Sequence, residues 1–326
     1  MQAIQDVLER RQVAIYFYAI AAAMAMALLA PAAAVPERLI NATLALMLYA
    51  TFLQVPLAEL RGALRNFRFL AALLLANFAA IPLLVAVLYQ ALPADPLIRL
   101  GVLLVLLTPC IDYVVAFSHL GRADARLLLA ATPMLLVVQM LLLPVYLGLF
   151  LGEAASSLIQ AGPFLHAFLW LIVLPLALAA ATQAWAAGSN AGRRAAAVLG
   201  LLPVPATALV LFVVIGAVAP QLGQAFDSAL RVAPIYIAFA VIAPLIGWLA
   251  ARWFGMQDAA GRAIAFSTGT RNSLVILPLA LAVPGAIPVL PAVIVAQTTV
   301  ELLSELVYIR AIARLGRTDT GSSGSS

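Results

Sequence analysis

The stretch LLTPCIDYVVAFSHLG, Leu106–Gly121, interrupts an apolar run with a proline, a thiol and a carboxylate. Pro109 has no amide hydrogen and its ring clashes with the turn before it, so a helix reaching Leu106 is expected to break between Leu107 and Ile111. A break frees backbone groups, which hydrocarbon cannot satisfy, so it persists only against protein or a wet cavity. Pro133, Pro144, Pro175, Pro203, Pro205 and Pro278 also lie in apolar runs, where a proline kinks a membrane helix. What sets Pro109 apart is its company, Cys110 and Asp112. A carboxylate at this depth must be paired, wetted or protonated.

Composition gives this stretch its surroundings. The 326 residues are 65% hydrophobic and 10% charged, too apolar for a chain dissolved in water, so this is an integral membrane protein. Its cations are eighteen arginines and no lysine, scattered between apolar segments without a basic run, which excludes a nucleic-acid surface. The single cysteine excludes an internal disulfide and a cysteine-cluster metal site, so Cys110 matters only as a thiol. No cofactor is expected. The opening MQAIQDVLERRQ reads as a short charged lead and not as a removable signal peptide, and the closing GSSGSS reads as a cloning scar.

A span needs about 20 apolar residues. Cutting at charges and Pro/Gly clusters gives ten candidates, roughly 12–35, 39–60, 67–92, 96–120, 125–151, 163–187, 195–220, 230–252, 260–283 and 287–312. With the N-terminus in the cytoplasm, fourteen arginines fall inside and only Arg38, Arg99 and Arg231 outside, with Arg271 within a span. The expected fold is all-α, ten transmembrane helices in two inverted five-helix repeats, multi-pass in the cell's inner membrane with both termini cytoplasmic. Its parts are a cytoplasmic N-terminus (1–11), a first repeat (12–151), an extracytoplasmic linker (152–162), a second repeat (163–313) and a cytoplasmic tail (314–326).

The repeat shows when the halves are slid by 162 residues. VQMLLLPVY (138–146) then lies on VELLSELVY (300–308), identical at the first, fourth, eighth and ninth positions, and Pro82-Leu83 lies on Pro244-Leu245. The same offset puts TPC (108–110) on TRN (270–272), inside FSTGTRNSLVILP, the other span rich in polar groups. Interrupted helices at matching places in two inverted halves point to a transporter's midplane site.

The charged residues inside spans are the candidates for chemistry. Arg271 pairs with Asp112, pairs with Glu301, or turns its charge toward an anion, and the sequence leaves these three open. Glu301 and Glu305 share one helical face, where two like charges repel, so one is paired or protonated, as proton coupling requires. Glu301 is favoured for that role, because Glu305 lies near Arg310 and the cytoplasmic end and can serve as a topology residue. Glu301 also faces Gln139 across the repeat, an ionisable group against its neutral isostere. Thr132, Gln139, Thr268, Thr270, Ser273 and Gln297 are possible cavity lining, as are Gln54 and Asn77; His119 and His166 are given no role. The small residues of LAAATQAWAAG and AAAVLG serve helix packing. No paired-aspartate or Gly-x-Ser-x-Gly arrangement suggests an intramembrane enzyme.

TPCIDYVVAFSHLGRADARLLLAATPMLLVVQMLLLPVYLGLFLG and FSTGTRNSLVILPLALAVP resemble the bile acid:sodium symporter superfamily, and within it the arsenite permeases of arsenical resistance. The resemblance implies a panel domain (spans 1, 2, 6 and 7) and a core domain in which broken helices 4 and 9 cross. It implies that Cys110, with Thr108, Asp112, Arg271 and Asn272 around it, binds the substrate, the thiol ligating As(III), and that Glu301, with Glu305, carries the coupled proton. The substrate class is a small inorganic oxyanion or metalloid hydroxide, and the function is arsenite efflux, with antimonite as a further cargo, by proton antiport. The sodium-coupled branch resembles a pattern with a glutamate and a glutamine at the second break; TGTRNS offers no carboxylate, so sodium coupling is less expected. A sodium- or proton-coupled transporter of a small organic anion, held by Arg271, is the alternative.

Overall fold

The computed structural model of the chain describes residues 2–29, 36, 38–54, 66–111, 113–152, 166, 169–218, 222–281 and 283–316. Asp112 and most of the 152–162 linker lie outside the described residues. The described residues are helical, without strands. In chain order we label α1 (Gln2–Leu29), α2 (Arg38–Gln54), α3 (Phe67–Tyr89), α4 (Pro96–Leu106), α5 (Tyr113–Leu120), α6 (Ala125–Leu151) and α7 (Leu174–Gly188). There follow α8 (Asn190–Leu199), α9 (Pro203–Val218), α10 (Leu222–Trp253), α11 (Asp258–Gly269), α12 (Ser273–Leu281) and α13 (Val289–Ala311). Among the described residues four helices are long and apolar enough to cross a bilayer, at Phe67–Tyr89, Ala125–Leu151, Ala225–Trp253 and Val289–Arg314. The pair Asn190–Leu199 and Pro203–Ala217, bent by 41°, makes a fifth if taken as one span.

Local chemistry sets the helix starts. Asp95 caps α4, its carboxylate accepting from the amides of Leu97 (2.8 Å) and Ile98 (3.1 Å), with Pro96 supplying a first residue that needs no partner. Asp124 caps α6 through the Leu127 amide, and Ser189 caps α8 through that of Gly192. The segment expected as one span from 195 divides into α8 and α9, because Gly200 and Pro203 interrupt it.

Two groups of helices pack mainly among themselves and touch each other through α2 against α12 and α9 against α13. α1 lies on α9, and α2 on α7 and α9; α10 lies on α11 and α13, and α4 on α13. Within the second group, hydrogen bonds recur at the 162-residue offset. The Tyr146 hydroxyl donates to Phe78 O, and the Tyr308 hydroxyl donates to Ala240 O. Both carbonyls need such a donor, since Pro82 and Pro244, four residues on, have no amide hydrogen to give. Thr108 Oγ1 donates to Leu104 O at 2.9 Å and Thr270 Oγ1 lies 2.7 Å from Phe266 O, again one offset apart.

Candidate functional site

α4 ends at Leu106 and α5 resumes at Tyr113; α11 ends at Gly269 and α12 resumes at Ser273. The two interruptions meet as an antiparallel bridge between Pro109 and Arg271. Cys110 N donates to Thr270 O (3.1 Å) and Asn272 N donates to Thr108 O (2.9 Å), two bonds related by the same offset. Each break thus satisfies part of the other's freed backbone. Cys110 is fully buried there.

Diverting those amides leaves carbonyls behind. In unbroken helices Cys110 N would serve Leu106 O, Arg271 N would serve Ser267 O, and Asn272 N would serve Thr268 O. The Arg271 guanidinium supplies all three. Its Nη2 donates to Ser267 O (2.6 Å) and Thr268 O (2.8 Å), and its Nη1 lies 3.4 Å from Leu106 O. Nη2 also donates to Asn77 Oδ1 (2.8 Å), while Asn77 Nδ2 donates to Ser267 Oγ (3.0 Å) and Leu73 O (3.1 Å), which fixes the amide's orientation. Asn77 stands in the π-helical turn Ala76–Ala80 of α3. The guanidinium carbon lies 5.4 Å from the centre of the Phe239 ring. Arg271 is 0% exposed, and the only ion pair among the described residues is Arg252–Asp258 at the surface.

Glu301 meets Arg271 through the backbone. Its Oε2 accepts from Arg271 N (2.7 Å) and from Gln297 Nε2, and its Oε1 accepts from the Tyr113 hydroxyl. Three donors on one buried carboxyl make a well-satisfied acceptor. Glu305 is also buried, its Oε1 2.5 Å from Thr270 Oγ1 and its Oε2 without a partner. It lies inside the protein and does not reach back to the helix end near Arg310.

A cavity of about 580 Å³ lies between the two packing groups. One wall is Arg10, Gln12 and Tyr16 of α1, Thr51 and Gln54 of α2, and Thr207 of α9; the other is Ile111, Tyr113 and His119 at the first break and along α5, with Leu129 of α6. Among the described residues the lining carries the basic or polar side chains of Arg10, His119, Gln12, Thr51, Gln54 and Thr207. Tyr113 belongs both to this wall and to Glu301, so it joins cavity and crossover.

The structure therefore gathers Thr108, Cys110, Thr270, Arg271 and Asn272 at one crossing, with Gln297, Glu301 and Glu305 against it. Ser273 Oγ accepts from Thr298 Oγ1 (2.8 Å) beside them, and Thr268 turns its hydroxyl onto its own helix. Among the described residues Thr132 bonds Leu129 O (2.7 Å) alone, and both polar atoms of the Gln139 side chain are buried without a partner, so these two stand apart from the crossing. Gln54, expected as possible cavity lining, lines the cavity; Tyr113, Thr51 and the α1 and α9 residues are additions to the residues read from sequence, and His119, given no role there, lines the cavity.

Interrupted apolar helices meeting at their breaks beside a cavity lined in part by polar side chains are the architecture of a membrane transporter. The chain belongs to the sodium bile acid symporter family, whose model matches residues 42–225. That span includes the Pro109–Cys110 break and stops short of Arg271 and Glu301. None of the curated proteins matches the chain.

Proposed function

We propose that the protein is a secondary transporter that exports arsenite, with antimonite as a further cargo, in exchange for protons. The observation that carries this reading is the crossing itself, where a buried thiol, Cys110, sits in the interrupted segment whose backbone bonds Thr270, one residue from Arg271 and its contact to Glu301. As(III) is a soft centre that seeks thiolate, and a single thiolate holds it weakly enough to let it leave. Glu301 is the proton carrier in this reading, and Tyr113 gives it a route toward the cavity.

The ten-span inverted repeat, with α1, α2, α7 and α9 as panel, is supported by three hydrogen-bond pairs at the 162-residue offset and by helices that overlap all ten apolar segments. Alternating access then moves the crossing between the two sides of the cell's inner membrane, both termini being cytoplasmic. A second reading is favoured by one observation. A cavity of about 580 Å³ with Arg10 and His119 in its wall is far roomier than a metalloid trihydroxide needs and suits a small organic anion, moved with sodium or protons. Ligand-induced thermal shifts of the purified protein separate the two. Arsenite should raise the unfolding temperature of the wild type and not of Cys110→Ser; stabilisation by short carboxylates or sulfonates, with none by arsenite, supports the second reading and overturns the first.

A further inference from the structure

The cation at the crossing is covalently attached. The carbonyl end of a helix carries a partial negative charge of about half an electron, and two such ends, those of α4 and α11, converge here. Their orphaned carbonyls, Leu106 O, Ser267 O and Thr268 O, together with Asn77 Oδ1, form a cage of four neutral oxygens around the Arg271 guanidinium. Neutral carbonyl and amide oxygens at broken-helix ends are the donor set that holds a hard monovalent cation. We propose that Arg271 is the resident occupant of a monovalent-cation site, so that this crossing needs no dissolved sodium or potassium ion to be stable. Three of the four contacts come from Nη2, whose two hydrogens are shared among three oxygens, and the Phe239 ring closes one side. With Nη1 and Nη2 turned onto the protein's own oxygens and Nε buried without a partner, the guanidinium acts as a fixed structural charge. Removing it leaves an oxygen cage that a small cation from solution can enter.

The inference rests on the transporter reading only in treating the crossing as the working site, and its test reads stability instead of transport, so a failure of the arsenite reading leaves it standing. Purified wild type, Arg271→Ala and Arg271→Lys are unfolded by heat in choline, sodium or guanidinium chloride at matched low-millimolar concentration. Wild type should unfold at one temperature in all three salts. Arg271→Ala should unfold lower in choline and regain roughly 5 °C in sodium or guanidinium. Arg271→Lys, whose ammonium enters the same cage, should be indifferent to the salt. Sodium-dependent stability of the wild type, or an Arg271→Ala protein equally stable in all three salts, overturns the proposal. If Arg271→Ala yields no folded protein in any salt, Arg271→Lys decides. Folding restored without sodium dependence upholds the resident cation, and a lysine variant no better than the alanine variant rejects it.

Discussion

Glu301 is held by three donors from three different places, the Arg271 amide, the Gln297 amide and the Tyr113 hydroxyl. A glutamine at 301 keeps an oxygen for the Arg271 amide and an amide for Tyr113, whose hydroxyl can turn to accept, so the fold should survive the exchange while the titrating proton is lost. Glu301→Gln is expected to let arsenite equilibrate across proteoliposomes without concentrating it against a proton gradient, whereas Glu305→Gln, set against Thr270 one turn away, should accumulate arsenite nearly as well as wild type. Retained gradient-driven accumulation in Glu301→Gln removes it as the carrier. Tyr113→Phe takes one donor from the buried carboxyl, and chemical unfolding should show a loss of about 1–3 kcal/mol; an unchanged stability means that the hydroxyl is dispensable to Glu301. At this scale the charged residues were legible, because a charge within an apolar run needs a reason. The carbonyls that the Arg271 guanidinium serves are not legible in the same way, because they are left without amides only where the helices break; the pairing with Asp112 lies outside the described residues. Neutral Asn77 and Tyr113 gave no comparable signal.

At Pro82 and Pro244 a proline withdraws an amide, and the carbonyl it leaves is served from another helix. Tyr308 of α13 donates to Ala240 O of α10, the carbonyl that Pro244 cannot serve. Tyr308→Phe should therefore cost about 1–3 kcal/mol, the penalty for an unpaired buried carbonyl. In a Pro244→Ala background, where the helix again supplies an amide, the same change should cost clearly less, and a double-mutant cycle measures the difference. Equal cost in both backgrounds means that Tyr308 matters through ring packing alone. The first break was legible from Pro109. The second contains no proline, and its mark in the sequence is the 162-residue offset that sets TPC on TRN. The division of α8 from α9 was missed although Gly200 and Pro203 mark it, because an apolar run continues through them.

Over the whole molecule, Arg10, Gln12, Tyr16, Thr51, Gln54 and Thr207 come from three helices to face the first break, and of these only Gln54, a polar residue deep in an apolar run, is marked by local pattern. Only packing brings them together. What the sequence did carry at this scale is the arginine distribution, which sets orientation. Single cysteines placed at Leu158, Asn190 and Thr320 in a Cys110→Ala background should be labelled by an impermeant thiol reagent from outside at 158 only. Labelling of 190 or 320 from outside, or of 158 only from inside, rejects the topology and with it the inverted repeat. The most direct test of function is arsenite accumulation in everted membrane vesicles carrying wild type or Cys110→Ser, with a proton gradient imposed or collapsed. The expected result is accumulation by wild type that disappears when the gradient is collapsed and is absent from the serine variant, whose hydroxyl is a poor ligand for As(III). Equal arsenite accumulation by the two proteins, or accumulation indifferent to the gradient, contradicts thiol-dependent export in exchange for protons.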